Sequence, residues 1–146
     1  MLRLSGARWL ERWGARVFDV RFPVTDGPIT AAIRAALLPS WSGLIVARKR
    51  PAQMPKRLIT VRNDSGPALD VRSLRRYGVN VWADNSLDAE NLALDAMQAC
   101  RARMGPVVFT EEFSGPYEIE DDPAFTFQGN PLFHYYYAFR AVVRGS

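Results

Sequence analysis

The amino-acid sequence predicts an α+β fold: a mixed, mostly antiparallel sheet of about five strands with helices packed on one face, plus an extra N-terminal amphipathic helix. The clearest strand signal lies in residues 75–83, where the odd positions from residue 77 on are apolar, the period of two expected of a half-buried strand. Residues 132–143 repeat this alternation with aromatic side chains. Between these strands, small or apolar residues recur at steps of three and four from Ala89 to Met104, which indicates a helix packed on the sheet.

Length and composition indicate a globular protein. The chain has 146 residues, of which 48% are hydrophobic, enough to bury a core without disulfides or structural metal. The longest apolar runs, such as residues 43–47, are far shorter than the roughly 18–20 residues of a membrane span, so we expect no membrane partner. The single cysteine, Cys100, lies on the apolar side of the central helix and is expected to be a reduced, buried thiol.

The N-terminal region is predicted to form an extension. An amphipathic helix is expected from Leu4 to Phe18, with Trp9 and Trp13 on its apolar side and arginines mostly on the other. Residues 19–28 contain two prolines, two aspartates and a glycine just before the next helix, which is typical of a linker. We therefore divide the chain into a helix and linker extension, residues 1–27, and an α+β domain, residues 28–146. Trp9 and Trp13 are candidates for docking on a partner, although local core packing is an open alternative.

The α+β domain is predicted to contain two helices and five strands. Pro39 ends the first helix, Asn85 or its neighbours cap the second, and Ser114-Gly115-Pro116 is expected to break the strand that follows. In chain order, the elements are a helix at Ile29–Leu38, strands at Leu44–Arg48, Leu58–Arg62 and Arg75–Ala83, a helix from about Ala89 to Met104, and strands at Val107–Phe113 and Leu132–Val143.

The side of the sheet that faces away from the predicted core has a mixed character. The even positions of residues 132–144, together with Asn80 and Trp82 on the same side of the strand at residues 75–83, combine aromatic, polar and charged side chains. Such a surface is more apolar than free solvent favours, and mixed patches are typical of subunit contacts. The candidate subunit interface consists of Asn80, Trp82, Tyr136 and Arg140.

Charge is distributed unevenly along the chain. Residues 1–80 hold 15 lysines and arginines against 5 acids, whereas residues 81–146 hold 4 against 10. Such a division suits either head-to-tail subunit contacts or a basic face for nucleic acid. The densest basic segment is a proline-containing loop with the residues Arg48, Lys49, Arg50, Lys56 and Arg57. It is either a solvated loop or a finger that touches a charged partner.

The sequence lacks the patterns of catalytic chemistry. No glycine-rich phosphate loop occurs, and one histidine with one cysteine is too small a ligand set for zinc, so we expect no enzyme activity, no cofactor and no metal. His134 lies in mid-strand without a nucleophile signature and is interpreted as structural. Glu111 and Glu112 are adjacent in a strand, so their carboxylates are expected to point to opposite faces.

The order and texture of the elements resemble those of a known family, the tail terminator (tail-completion) proteins of phages with long, non-contractile tails. The resemblance covers about residues 29–145. It rests on the helix Ile29–Leu38, the strand Gly43–Arg48 with its proline-containing loop, Leu58–Arg62 before a glycine turn, Val79-Asn80-Val81-Trp82-Ala83-Asp84 before an alanine-rich helix, and the ending Val142-Val143-Arg144-Gly145. The extension, residues 1–27, departs from the family pattern.

The resemblance implies a structural virion protein at the tail-head junction, assembled in the host cytoplasm. Such a protein forms a homo-oligomeric, hexameric ring on the last ring of tail tube protein, ends tube polymerisation and joins the tail to the head-tail connector protein. In that ring the basic loop is expected to make a passing contact with DNA in the channel. Two alternatives stay open, a head-completion or neck connector protein and, more distantly, a nucleic-acid-binding domain.

Overall fold

The computed structural model describes residues 26–64, 68–69, 72–102, 107–120 and 125–144, and it confirms the predicted α+β class. The predicted helix Leu4–Phe18 lies outside these residues. The described elements are the helices α1 (Asp26–Leu37) and α2 (Ser86–Cys100) and the strands β1 (Leu44–Ala47), β2 (Arg57–Asn63), β3 (Ala68–Leu69), β4 (Arg72–Ala83), β5 (Val107–Ile119), β6 (Thr126–Phe127), β7 (Asn130–Pro131) and β8 (Phe133–Arg144).

The main sheet has the strand order β1-β2-β4-β8-β5, and the short β3 pairs with the start of β4. β1 runs parallel to β2, while the other neighbouring strands are antiparallel, so the sheet is mixed and mostly antiparallel as predicted. In the segment of chain that connects β5 to β8, β6 and β7 form a separate small hairpin. Among the described strands, β1 and β5 are the two edges of the main sheet.

The main core lies between one face of the sheet and the two helices. The odd-numbered side chains of residues 77–83 in β4 and of residues 135–141 in β8 lie in it, in agreement with the alternation in the sequence. Tyr77, Tyr137 and Phe139 are its largest fully buried side chains. The ring of Phe139 stacks on Tyr77 with centroids 5.6 Å apart and on Phe113 at 5.0 Å, which fixes β5 against β8 and β4.

The helices begin where the sequence supplies suitable ends. Asn85 caps α2, because its Oδ1 accepts a hydrogen bond from the backbone N–H of Asp88 at 2.8 Å. α1 begins at Asp26, before the predicted Ile29, and so the domain boundary drawn between residues 27 and 28 falls inside its first turn. Within the described residues, no helix is both long and apolar enough to cross a membrane.

β5 departs from the prediction, since the expected break at Ser114-Gly115-Pro116 does not end it. The strand continues to Ile119 and stays paired with β8, but it contains three irregularities in register. Gly115 has φ of 101°, and a Cβ there would lie 2.8 Å from the Tyr136 carbonyl oxygen, so glycine allows the chain to pass this point without leaving the sheet. The turn-forming residues therefore produce a bulged strand instead of a break.

Candidate subunit-contact face of the sheet

The face of the sheet opposite the helices, here called the reverse face, carries the residues predicted to contact a neighbouring subunit. Strand register brings Trp82 beside His134, Asn80 beside Tyr136, and Arg140 beside Glu111. The structure thus gathers the four predicted interface residues, Asn80, Trp82, Tyr136 and Arg140, on one face of adjacent strands. Their surroundings differ, and they divide into three small groups.

Trp82 lies in a second, smaller core, and the expectation that it faces a neighbouring subunit needs correction. The residue is only 4% exposed, and its indole stacks on His134 with ring centroids 4.4 Å apart. Leu58 and Leu132 complete this cluster, and Met54 and Phe127 pack on it from outside. Little of the indole is left for a partner, because the cluster is closed within the subunit.

Two loops close this second core. Parallel strands require a crossover, so the chain between β1 and β2 must return across one face of the sheet. Residues 48–56 make that return on the reverse face, where residues 52–54 meet residues 126–128 of the β6–β7 hairpin along a common groove. The basic loop therefore covers the sheet and packs on a hairpin that the sequence analysis missed.

His134 is held in a structural arrangement, as its sequence context indicated. It is 8% exposed, and its Nε2 lies 2.8 Å from Asn80 Oδ1. Because an amide oxygen can only accept, Nε2 carries the proton and donates in this pair. Asn80, predicted as an interface residue, is thus occupied in orienting the ring that stacks on Trp82.

Arg140 is bound by two glutamates of its own subunit. Its Nε and Nη2 donate to Glu111 Oε2 at 3.0 and 2.6 Å, and Nη2 also donates to Glu112. Hydrogen bonding to Glu111, followed by the attraction of both carboxylates, raises the pKa of Arg140. The guanidinium remains at the surface, but as part of a compensated cluster.

This cluster corrects the expectation that Glu111 and Glu112 point apart. Glu112 has φ of 53°, in the left-handed region, where the register of β5 against β8 shifts. The bulge turns the second carboxylate back towards the face of the first. No sequence pattern predicted this, because an alternating strand separates adjacent side chains and only a local irregularity reunites them.

Side-chain contacts of Arg50, Lys56 and Arg57 tie the basic loop to the rest of the described fold. Arg57 lies in β2, where its guanidinium donates to Asp88 Oδ2 at 2.9 Å and to the Ser42 carbonyl at 2.7 Å. This hydrogen bond from Arg57 makes the largest contribution to the lowered pKa of Asp88. Lys56 Nζ lies 3.9 Å from Asp84, and the Arg50 guanidinium lies 4.0 Å above the ring of Phe125. Arg48 and Lys49 are both exposed.

Four exposed apolar residues on the reverse face were not predicted from the sequence. They lie on the two edge strands, with Ile45 (44% exposed) on β1 and Phe109 (48%), Tyr117 (54%) and Ile119 (37%) on β5. The predicted strand break at residues 114–116 hid the alternation that places Tyr117 and Ile119 on one face. No other large apolar side chains on the described part of this face are so open.

In the part of the chain that the structure describes, loops close the middle of the reverse face, and exposed apolar side chains lie on the two edge strands of the α+β fold. Among the described residues, no three side chains of His, Cys, Asp or Glu converge on a common point where a metal ion would bind. A scan against protein-family models and a search of curated proteins gave no match to this chain.

Proposed function

We propose that this chain is a structural virion protein that forms a ring on the tail tube, ends tube polymerisation and joins the tail to the head connector. The observation that supports the proposal is the position of the exposed apolar side chains on the reverse face of the sheet. They lie on β1 and β5, the two opposite edges of the sheet, and so each subunit presents two different exposed apolar surfaces.

Two different surfaces suit heterologous contacts, in which one edge of a subunit meets the other edge of the next. Such contacts form a ring when the rotation between neighbours closes and a filament when it does not. The resemblance to tail terminator proteins favours closure, with six copies matched to the last ring of tail tube protein. The role is assembly rather than turnover.

The remaining predicted surfaces have places within this proposal. Lys49 and Arg48 are exposed loop cations and are candidates for a passing contact with DNA in the channel. Trp9 and Trp13, outside the described residues, are candidates for docking on an adjacent subunit or on the connector. Because α1 includes Asp26, a truncation that tests this docking should remove no more than residues 1–25.

Electron microscopy of purified tail tubes, with and without the protein, tests the proposed function. We expect a ring on one end of each tube and tubes of uniform length. A protein that leaves tubes uncapped but binds the portal complex would be a neck connector instead. Binding to DNA that weakens steeply with salt, with no binding to either assembly, would favour a nucleic-acid-binding domain.

A further inference from the structure

We propose that neighbouring copies join edge to edge, with the β5 edge of one copy on the β1 edge of the next, so that Glu118 meets Arg34 and Tyr117 packs against Ile45. The inference rests on the proposed ring and specifies its subunit contact. It is drawn from what each edge presents on its two sides.

The β5 edge is apolar on one side and acidic on the other. Tyr117 and Ile119 are in register with Tyr136 and His134, which places them on the reverse face. Glu118 is in register with the core residue Tyr135 and therefore points to the helix side. It is exposed and makes no ion pair with any described residue, so its carboxylate is open to a partner.

The β1 edge has the same arrangement with the opposite charge. Ile45 is in register with Leu58, and thus it lies on the reverse face and is 44% exposed. On the helix side, exposed Arg34 of α1 reaches the strand and donates from Nη2 to the Val46 carbonyl at 2.6 Å. That bond uses one of the five N–H donors of a guanidinium and leaves the others for a carboxylate.

The charge of the wider edges supports a second copy as the partner. Residues 44–63, which include β1 and β2, contain six basic residues and no acid, whereas residues 107–120 contain four glutamates and no basic residue. Part of this charge is compensated internally, at Arg57 and Arg140 among others, but Glu118, Glu120 and Lys49 make no ion pair with described residues. One molecule therefore carries both halves of a complementary pair.

The match also fixes how neighbours are oriented. On both edges the apolar residue is on the reverse face and the charged residue is on the helix side. The apolar residues therefore meet each other, and the opposite charges meet each other, only when the helix layers of both copies face the same way. β1 and β5 are four strand spacings apart, about 19 Å, and the same contact can repeat from copy to copy. A ring of six requires about 60° of rotation at each contact.

A charge-exchange experiment tests the contact. Glu118→Arg places two cations at the junction and Arg34→Glu places two anions there, so we expect either variant alone to self-associate at least roughly tenfold more weakly than wild type. An equal mixture of the two variants restores the attraction at every junction when the variants alternate. The substituted arginine of one variant then meets the substituted glutamate of the other, and the unchanged Glu118 meets the unchanged Arg34. Sedimentation velocity of the variants, the mixture and wild type measures this. Glu90→Arg, an exposed position on α2, is the matched control and should behave as wild type.

Cross-linking provides a second measurement that leaves Arg34 intact. Copies carrying Glu118→Cys are mixed at high concentration with copies carrying Ile45→Cys and treated with a short bismaleimide, while buried Cys100 stays out of the reaction. We expect the 45–118 product to exceed the 45–45 and 118–118 products at least tenfold. Single variants that assemble like wild type, a mixture that stays dissociated, or no excess of the 45–118 product would overturn the inference.

The failure of this contact is distinguishable from the failure of the proposed function. If Glu118→Arg still caps tail tubes with a ring, the function holds and the contact is wrong. If the mixture restores association but wild type never binds a tube end, the contact holds and the function is wrong.

Discussion

Gly78 illustrates how single residues shape the reverse face. The ring of Tyr136 lies across this glycine, so that an added Cβ would be 2.8 Å from the tyrosine Oη and 3.0 Å from Cε1. Real carbon atoms do not approach that closely, and an alanine would therefore displace the ring. The glycine provides space for a side chain from the neighbouring strand, and φ at this position requires no special conformation.

We expect Gly78→Ala to lower the free energy of unfolding by about 1–3 kcal/mol, the usual cost of overpacking. In a Tyr136→Ala background the same substitution should be neutral or slightly stabilising, because the space is vacant and glycine is unfavourable inside a strand. Urea denaturation of the four proteins in this cycle measures the coupling. An equal cost in both backgrounds would contradict the assigned contact.

Arg57 and Asp88 join the start of β2 to the first turn of α2. The Arg57 side chain is 12% exposed and that of Asp88 is 29% exposed, so the pair is partly shielded from water. The hydrogen bond from Arg57 lowers the pKa of Asp88 below its usual value of 3.8. A carboxyl group with a lowered pKa in the folded state stabilises the protein fully above its unfolded pKa, and this stabilisation is lost as pH falls through the folded pKa.

Asp88→Asn should therefore reduce stability by about 1–2 kcal/mol at pH 7, since it leaves a partly buried arginine without its carboxylate. The difference from wild type should shrink as pH falls below the usual value of 3.8 and then through the lowered pKa of folded Asp88. Urea denaturation at pH 7 and pH 3 measures both values. Glu90→Gln, at an exposed position without an ion pair among the described residues, should show no difference from wild type at either pH; a constant deficit for Asp88→Asn would refute the linkage.

The second core is a feature of whole elements, because it needs the β1–β2 crossover and the β6–β7 hairpin to close over β2, β4 and β8. Leu58 and Trp82 are neighbours in register, and Leu132 comes from the segment just before β8. Phe125 adds an edge-on contact with Trp82 at 6.3 Å. The loops are thereby packed on the sheet through apolar side chains.

Trp82→Ala should lower the free energy of unfolding by about 3–5 kcal/mol, as expected for a buried tryptophan. Trp82→Phe keeps a flat ring against His134 and should cost clearly less. Leu94→Ala is the control, because Leu94 on α2 is 46% exposed and lies outside the proposed contact, and we expect a change of no more than about 0.5 kcal/mol. Denaturant titration of the three variants checks the order, and a small loss for Trp82→Ala would show that the loops do not seal the cluster.

Elements with strong periodicity were predictable from the sequence, and those that depend on tertiary contacts were not. β4 and β8 alternate over nine or more residues, so their buried faces were predicted correctly. β6 and β7 have two residues each and no periodicity to detect. The pairing of Arg57 with Asp88 spans 31 residues, and the Glu111–Glu112 cluster depends on a bulge, and so neither has a local signal.

At the scale of the whole molecule, the main core joins both helices to the sheet through residues distant in sequence. Cys100, at the end of α2, is fully buried with its Sγ 3.3 Å from the hydroxyl of Tyr137 in β8. Burial raises the pKa of the Cys100 thiol to about 12. The reactivity of this thiol therefore indicates whether α2 is packed on the sheet.

We expect Cys100 in the folded protein to react with a thiol reagent at pH 8 at least about a thousandfold more slowly than in the unfolded chain. Both the access of the reagent and the formation of the thiolate require that α2 moves away from the sheet. Destabilising substitutions in the main core should accelerate the reaction in proportion to the population of open molecules. A Gln98→Cys variant provides an exposed reference on the same helix and should react at once. Fast labelling of native Cys100 would mean that α2 separates from the sheet without global unfolding.

The irregular course of β5 has a consequence for how the protein behaves in a crowded cell. A long, regular edge strand is a template on which further strands add without limit, and that is the route to fibrous aggregation. β5 is 13 residues long, but its register shifts three times, Glu112 and Gly115 adopt positive φ, and Pro116 offers no N–H. An incoming strand would find no continuous ladder of donors and acceptors along this strand. The same bulges that turn side chains outward thus protect this edge against open-ended addition of strands.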